Sequence, residues 1–264
     1  MKYPAEIAPQ NLFSPLKTGQ HIWLFLDYDG TLAEFAPNPD VILPDDELID
    51  LLHRLSRHPR LHTAIISGRR LAHICALVPL EGIWLAGTYG VEMRDPKGKR
   101  MDMLAFDTVR PVIERIKPCW EKLLEGKRDF YLEDKGWSLA IHGSRAAEQE
   151  AQHTIHQAQG IARQHIEQSM LHLMGGQNFL EVCPRFASKK IAIETILQFE
   201  PLSHSVPVYL GDDDKDEIAF SALRSMGGIP ILVAAQERPT EALHRLPSPC
   251  AARAWLEDLI CFLG

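Results

Sequence analysis

The stretch that decides the fold is HIWLFLDYDGTL, residues 21–32. Within it, residues 22–26 form a short apolar run that lacks the alternation of polar and apolar side chains of a one-sided strand. Such a run predicts a strand buried on both faces, as in a parallel sheet. The run stops at Asp27, and the polar, glycine-containing segment after it predicts a turn.

The same succession of apolar runs and amphipathic stretches extends outward from this segment. Buried strands are predicted at residues 61–66, 83–86, 206–210 and 229–233, and helices at residues 45–55, 70–77, 189–199 and 255–263. Repeated strand, loop and helix predict an α/β fold built on a doubly wound, Rossmann-like parallel sheet.

The middle of the chain has a different character. Long polar helices are predicted at residues 110–124 and 146–170, with short strands at residues 138–141 and 179–183. These elements predict a smaller α+β unit inserted into the core. We therefore expect residues 1–100 and 184–264 to form the core, and residues 101–183 to form the inserted unit.

Composition narrows the class of protein. The 264 residues carry a formal net charge of −7 without a basic block, so we expect no nucleic-acid partner. No apolar run approaches the ~18 residues of a membrane span, and the start lacks a signal-peptide pattern. The five cysteines include no C-x-x-C pair, which favours a reduced compartment. We expect a cytoplasmic protein without membrane association, and a monomer.

Acidic residues follow two of the predicted buried strands. Asp27 and Asp29 follow the first strand, and a second cluster follows the strand at residues 206–210 and comprises Asp212, Asp213, Asp214 and Asp216. Ligands of open α/β sheets bind beyond the carboxyl ends of the strands, so the two clusters can meet there. Converging carboxylates repel one another unless a cation lies between them, and all-oxygen ligands suit Mg²⁺. The alternative is that each cluster is only a polar turn.

Two further features fit a phosphate ligand. Ser67-Gly68-Arg69 ends a predicted strand and opens a helix, where a hydroxyl and main-chain N–H groups can hold phosphate. Lys189 begins a helix after the inserted unit. Taken singly, Ser67-Gly68-Arg69 is an ordinary turn and Lys189 is a solvated lysine. Together with the acidic clusters, both favour a phosphate-binding site.

These segments resemble, in order, the four motifs of the haloacid-dehalogenase-like phosphatases. More narrowly, the chain resembles the trehalose-6-phosphate phosphatase family, through LDYDGTLAEFAPNPD (26–40), ISGR (66–69), LAG-x-x-G (85–90), EDKG-x-SLAIH (133–142), EV-x-P (181–184), SK (188–189) and GDD-x-x-DE (211–217). The resemblance implies a Mg²⁺-dependent sugar-phosphate phosphatase that forms an aspartyl-phosphate intermediate.

The resemblance also implies a role for each residue. Asp27 is the nucleophile, Asp29 the acid and base, and Ser67 and Lys189 hold the phosphoryl oxygens. The implied metal group comprises Asp27, Asp29 through its carbonyl, Asp212, Asp213 and Asp216, the last two orienting the metal shell. The implied substrate-binding residues are Thr31, Gly68, Arg69, Glu133, Lys135, His142 and Glu181. The inserted unit becomes a cap that excludes water and binds sugar hydroxyls; the alternative for its charged residues is surface charge.

Several positions depart from the family pattern. Tyr89 stands where His is common, Gly143-Ser144 where Tyr-Arg is usual, Gln177 for Lys, Cys183 for a basic residue, Lys190 for Gly, and Lys215 for Thr. Lost hydrogen-bond partners can retune a sugar site. Two substrates therefore remain open: trehalose 6-phosphate, or a different sugar phosphate.

Three other functions are compatible with parts of the pattern. A sugar phosphomutase shares the core motifs, but the segments at 131–142 and 176–184 favour a phosphatase. A signalling receiver uses a similar Asp, hydroxyl and Lys set, but needs neither Asp29 nor an inserted unit. A sugar-phosphate sensor without activity would not need four intact motifs. The histidines at 153, 156, 165 and 172 lie in a polar, Gln-rich stretch, which favours a solvated helix face over a zinc site.

Overall fold

The computed structural model describes residues 5–14, 19–35, 43–201 and 204–264. The APNPD end of the first motif, residues 36–40, lies outside the described residues. The chain divides into two compact units, Met1–Met101 with Ser188–Gly264 (the core) and Asp102–Ala187 (the inserted unit).

Strands and helices alternate along the core and mix differently in the inserted unit. The strands are β1 (Ala5–Glu6), β2 (His21–Leu26), β3 (Leu61–Ile66), β4 (Trp84–Gly87), β5 (Glu92–Arg94), β6 (Arg100–Asp102), β7 (Tyr131–Asp134), β8 (Leu139–His142), β9 (Leu171–Gly175), β10 (Phe179–Pro184), β11 (Ser205–Gly211), β12 (Ile229–Val233) and β13 (His244–Leu246). The α-helices are α1 (Pro9–Phe13), α2 (Asp46–Arg57), α3 (Leu71–Leu77), α4 (Arg110–Leu124), α5 (Glu148–Ile166), α6 (Lys189–Phe199), α7 (Glu217–Ser225) and α8 (Pro249–Leu263).

The core contains a mostly parallel sheet in the order β1-β13-β12-β11-β2-β3-β4-β5-β6. Strand β2 lies between β11 and β3, and it is parallel to both. The pairs from β1 through β4 are all parallel, and β5 pairs with β4 in the antiparallel direction. The predicted α/β fold with a parallel sheet is confirmed.

Strand β2 is buried on both faces, as its unbroken apolar run predicts. Ile22, Leu24 and Leu26 belong to a cluster that includes apolar residues of α2, α3 and α8. Trp23 and Phe25 point to the opposite face, are also buried, and stack on each other at 5.0 Å. On that face, Tyr209 of β11 contacts Phe220 of α7. Helices therefore cover both faces of the sheet, which is the doubly wound arrangement.

Several element bounds agree with the sequence predictions and others differ. Strand β3 and helices α4 and α6 have the predicted bounds. Helix α8 begins at Pro249, six residues before the predicted start at 255, because the Ser248 side chain accepts from the Ala251 N–H and proline suits a first helical position. Helix α5 is shorter than the predicted 146–170, and α7 was not predicted.

The inserted unit has its own sheet, in the order β7-β8-β10-β9, with every neighbouring pair antiparallel. Trp120 of α4 is fully buried and donates its indole N–H to the Ala158 carbonyl of α5 at 3.0 Å. This unit therefore combines an antiparallel sheet with a packed helix pair, which agrees with the predicted α+β character.

Candidate active site

Three neighbouring parallel strands end side by side and carry the predicted site residues. Leu26 of β2 is in register with Leu210 of β11, and the Asp27 N–H donates to the Leu210 carbonyl at 2.9 Å. Asp27 and Asp212 follow these two strand ends, and Ser67 follows β3 on the other side of β2. Parallel pairing therefore brings together residues that lie far apart in the sequence.

The carboxylates of Asp27, Asp212 and Asp216 form one cluster. One oxygen from each lies within 4.8 Å of the others, and within the described ranges this is the only such group of three or more potential ligands. Burial raises the pKa of Asp27 well above its ordinary value, and neighbouring carboxylates add to the rise, while Lys189 opposes it. Burial and repulsion from Asp216 raise the pKa of Asp212 to about 6, although it shares a hydrogen bond with Asp27. The cluster therefore concentrates negative charge that a divalent cation would relieve.

Lys189 links the nucleophile candidate to the rest of the cluster. It is the first residue of α6, it is buried, and its Nζ lies 2.9 Å from Asp27 Oδ1 and 2.5 Å from Asp216 Oδ1. Burial alone would lower the pKa of Lys189, but Asp216 and Asp27 more than reverse that effect and raise it. The ammonium is therefore a permanent positive charge beside Asp27.

Both oxygens of Asp216 accept hydrogen bonds inside the protein. Oδ1 accepts from Lys189 Nζ and from the Tyr209 hydroxyl at 2.5 Å, and Oδ2 accepts from the N–H groups of Asp212 at 3.0 Å and Asp213 at 3.1 Å. Although burial opposes it, these donors lower the pKa of Asp216. Asp216 thus fixes the shape of the loop that carries Asp212 and Asp213.

Asp29 is held by an arginine rather than by the acidic cluster. Arg69 Nε lies 2.7 Å from Oδ2 and Arg69 Nη2 lies 2.7 Å from Oδ1 of Asp29. The segment carrying Asp29 is a tight turn, in which the Leu32 and Ala33 N–H groups both donate to the Tyr28 carbonyl at 2.9 Å. Arg69, predicted to bind substrate, therefore holds a predicted catalytic carboxylate.

The other predicted core residues surround this group. Ser67 is buried, and its Oγ accepts from the Arg69 N–H at 3.1 Å. The Thr31 hydroxyl donates to Asp212 Oδ1 at 3.3 Å, so it reaches the acidic cluster. Gly68 lies directly under the ring of Tyr89, because a Cβ at Gly68 would be 2.7 Å from the Tyr89 hydroxyl.

The four residues of the inserted unit that were predicted to bind substrate form one network, in which His142 is half-buried and the other three are buried. Lys135 Nζ lies 3.1 Å from Glu181 Oε1 and 3.7 Å from Glu133 Oε2. His142 Nε2 lies 2.9 Å from the same Glu133 oxygen, and the Ser138 hydroxyl donates to Glu181 at 2.6 Å. Burial by itself would lower the pKa of Lys135, but Glu181 and Glu133 raise it. These side chains are therefore not dispersed surface charges.

Sequence analysis missed two residues that shape the core site. Tyr209 lies in a buried strand, where its polar hydroxyl signals a need for a partner, and that partner is Asp216. Arg238 lies in a loop without a recognisable pattern. It donates to the Asp212 carbonyl at 3.2 Å, and it pairs with Asp214 at 2.9 Å and Glu217 at 3.0 Å.

The chain is similar to proteins that are named as trehalose-phosphate phosphatases. The trehalose-6-phosphate phosphatase of Escherichia coli (strain K12) is 30% identical over 246 residues, which cover 92% of this chain and 88% of that protein. A probable trehalose-phosphate phosphatase 3 of Oryza sativa subsp. japonica is 29% identical over 278 residues, covering 98% of this chain and 75% of that protein. The structure of the C. albicans trehalose-6-phosphate phosphatase C-terminal domain has the same fold, with a TM-score of 0.82, 23% identity and 98% of both chains covered.

Among the described residues, every helix is too short or too polar to span a bilayer.

The trehalose-phosphatase family profile matches residues 25–249, a range that contains Asp27, Ser67, Lys189 and the whole second acidic cluster. With the haloacid-dehalogenase-like core, these matches establish that the chain belongs to the trehalose-phosphatase family and is a phosphoric monoester hydrolase.

Proposed function

We propose that this enzyme hydrolyses trehalose 6-phosphate to trehalose and phosphate, with Mg²⁺ bound and through an aspartyl-phosphate on Asp27. The observation that carries the proposal is the position of the Asp27 carboxylate, which is buried at a strand end. Its Oδ1 lies 2.9 Å from Lys189 Nζ, and it is close enough to Asp212 for both carboxylates to bind one cation. The names of the E. coli and rice relatives support the substrate.

The residues fit Mg²⁺ because the donor atoms are carboxylate oxygens whose mutual repulsion is only partly offset by Lys189. Asp27, Asp212 and the main-chain carbonyl of Asp29 would hold the ion, with Asp213 and Asp216 orienting those ligands. Asp216 suits an orienting role because both its oxygens are already engaged. Bound Mg²⁺ would keep the carboxylates ionised and neutralise phosphoryl oxygens.

The reaction proceeds in two displacements. Asp27 attacks phosphorus and forms an acyl phosphate, while Asp29 gives its proton to the departing sugar oxygen. Asp29 then takes a proton from the water that attacks the same phosphorus, which releases phosphate and restores Asp27. Lys189 and the Ser67 hydroxyl stabilise negative charge on the phosphoryl oxygens in both steps. Arg69 positions the Asp29 carboxylate through two N–H···O contacts, and one of them must open when that carboxyl carries the transferred proton.

The inserted unit supplies sugar recognition in this proposal. Glu133, Lys135, His142 and Glu181 are hydrogen-bonding groups held in fixed orientations by one another, which is the condition for discriminating sugar hydroxyls. A different sugar phosphate is the second candidate substrate, because Gly143 and Cys183 of the inserted unit depart from the family pattern. A side chain at Gly143 would lie 2.7 Å from the Phe130 ring, and Cys183 is fully buried.

The decisive experiment measures phosphate release from trehalose 6-phosphate, glucose 6-phosphate, mannose 6-phosphate and p-nitrophenyl phosphate, with Mg²⁺ and with a chelator. We expect trehalose 6-phosphate to be preferred by orders of magnitude and activity to require Mg²⁺. Preference for another sugar phosphate would select the second candidate, and an isomeric sugar phosphate as product would indicate a mutase.

The nucleophile is tested by Asp27→Asn, which should lower kcat by roughly 10³-fold or more, since nucleophile removal disables the covalent route. Asp214→Asn is the matched control, because Asp214 lies in the same acidic region with a side chain that is 96% exposed. Phosphate release by Asp27→Asn at the unmodified rate would refute the assignment.

A further inference from the structure

Two residues that depart from the family pattern contact each other in the core. Lys215 Nζ lies 3.0 Å from the Tyr89 hydroxyl, although the residues are 126 positions apart in the sequence. The same ammonium lies 5.4 Å from the centre of the Tyr89 ring. A hydrogen bond therefore joins the two departures into one unit.

Tyr89 is built into the loops that carry the predicted phosphate-binding residues. Its N–H donates to the Ser67 carbonyl at 2.9 Å, and its carbonyl accepts from the Ser188 N–H at 3.1 Å. Its backbone is left-handed, with φ 56° and ψ 30°, and Thr88 before it has φ 48°. Two consecutive non-glycine residues in this region are strained, and such strain persists where the surroundings enforce it, often at functional sites.

The ring of Tyr89 covers the backbone of Gly68. A Cβ at Gly68 would lie 2.7 Å from both the hydroxyl and the ζ carbon of Tyr89, so only glycine allows this approach. Lys215 bonds that hydroxyl, so the Tyr89 side chain lies between the Lys215 ammonium and the Ser67-Gly68 loop. The ammonium therefore lies near the loop that holds phosphate in the proposed mechanism.

Lys215 also belongs to the second acidic motif. Its N–H donates to Asp213 Oδ1 at 2.8 Å. The main chain of Lys215 thus contacts a residue of the acidic motif, and its side chain is half-buried.

The two positive charges assigned by the motifs are already engaged with carboxylates. Lys189 pairs with Asp27 and Asp216, and Arg69 is bidentate to Asp29. A dianionic phosphoryl group brought among these carboxylates would be stabilised by positive charge beyond that of Mg²⁺. Lys215 is a third cation at the same strand ends.

We propose that Lys215 and Tyr89 form a phosphate-recognition pair, which binds the dianionic phosphoryl end of the substrate and the phosphate product, and so sets substrate affinity. This inference rests on the proposed phosphatase mechanism. Tyr89 holds the Lys215 ammonium against the Ser67-Gly68 loop, and Lys215 supplies the charge. The pair recognises the phosphoryl group and not the sugar.

The test uses p-nitrophenyl phosphate, which lacks a sugar, and inorganic phosphate as a competitive inhibitor, both with saturating Mg²⁺. We expect Lys215→Met to raise KM and the phosphate inhibition constant about 10-fold with kcat changed less than about 3-fold, because a charge-assisted contact common to ground and transition states is lost. Lys215→Arg should restore most of the affinity. Lys97→Met, at an exposed lysine in the core, is the control and should leave both constants unchanged.

Tyr89→Phe keeps the ring over Gly68 and removes only the hydroxyl. It should raise both constants about 3-fold, and the Tyr89→Phe/Lys215→Met double variant should be no weaker than Lys215→Met, since coupled partners are not additive. Constants within about 2-fold of the unmodified enzyme in Lys215→Met would overturn the proposal. Absence of phosphatase activity in the unmodified enzyme would instead contradict the proposed function, so the two failures are distinguishable.

Discussion

The guanidinium of Arg69 donates one hydrogen bond to each oxygen of the Asp29 carboxylate, with two N···O distances of 2.7 Å. Arg69 is 8% exposed and the Asp29 side chain is 22% exposed, so this pair is largely shielded from solvent. A bidentate pair of this kind fixes the plane of the carboxylate as well as its position. The residue proposed to transfer protons is therefore oriented before any substrate binds.

The bidentate contact between Arg69 and Asp29 can be tested by Arg69→Lys. Lysine cannot form both hydrogen bonds, so this variant should lower kcat about 10-fold or more. The apparent Mg²⁺ affinity should change less than about 2-fold, because the Asp27–Asp212–Asp216 cluster keeps its own contacts. Steady-state kinetics with a Mg²⁺ titration give both values. Arg54→Lys is the control: Arg54 also pairs with both oxygens of a carboxylate, that of Glu257, in an exposed ion pair. An equal loss of kcat in both variants would contradict a specific role for Arg69.

Gly30 offers a second test, because a methyl group there would overlap the Asp212 carboxylate. Gly30→Ala should lower kcat about 100-fold and weaken Mg²⁺ binding, since Asp212 must move to make room. Gly98→Ala is a matched control: both glycines have left-handed backbones, with φ of 79° and 85°, but a Cβ at Gly98 meets nothing within 4 Å. Both substitutions should cost about 1 kcal/mol of stability from the backbone alone. Normal activity in Gly30→Ala would show that Asp212 tolerates displacement.

The raised pKa values of Asp27 and Asp212 predict how Mg²⁺ and pH act on stability. In the folded protein without metal, the pKa of Asp212 is raised to about 6, so the protonated form is favoured. The stabilising contribution of the protonated Asp212 carboxyl is fully present below its unfolded pKa of about 4. That contribution is lost as the pH rises through the folded pKa of about 6. Mg²⁺ binds the deprotonated carboxylates, so its stabilising effect should grow over the same pH range.

Thermal unfolding with Mg²⁺ or with a chelator checks this expectation. The gain in Tm from Mg²⁺ should be several degrees at pH 7.5 and below about 1 °C at pH 5. Asp212→Asn removes one titrating carboxyl and should reduce the difference between the two pH values. A gain of equal size at both pH values would mean that these carboxyls do not control metal binding.

Tyr209 tests the support given to Asp216. Its hydroxyl donates to a fully buried carboxylate, and Tyr209 itself has no exposed surface. Tyr209→Phe removes a donor to a buried charge, so the free energy of unfolding should fall by about 1–3 kcal/mol. Activity should also fall, because Asp216 holds the N–H groups of Asp212 and Asp213. Denaturant unfolding measures the first effect and kinetics the second; unchanged stability would mean that another donor replaces the hydroxyl.

Much of the fold could be predicted from local pattern. Apolar runs predicted β3 and β12 with their observed bounds, and helical patterning did the same for α4 and α6. Errors arose where the signal was a cap or was weak. The Ser248-Pro249 start of α8 was overlooked, and the short β5 and β6 strands were missed.

The candidate site divides in the same way. The acidic residues could be found because each follows a buried strand, and parallel pairing of β2 with β11 makes those strand ends neighbours. The partners of these residues could not be found by pattern. Arg238, for example, contacts the Asp212 carbonyl and two acidic side chains from a loop without any periodicity.

By itself, the sequence determined where strands end and which chemical groups stand at those ends, because both depend on neighbours along the chain. Only the tertiary structure decided that Arg69 holds Asp29, that Tyr209 and Lys189 hold Asp216, and that Lys215 bonds Tyr89. The last contact joins residues 126 positions apart. Such pairings depend on how strands and helices pack, and side-chain charge and shape select the partner only after packing has brought it within reach.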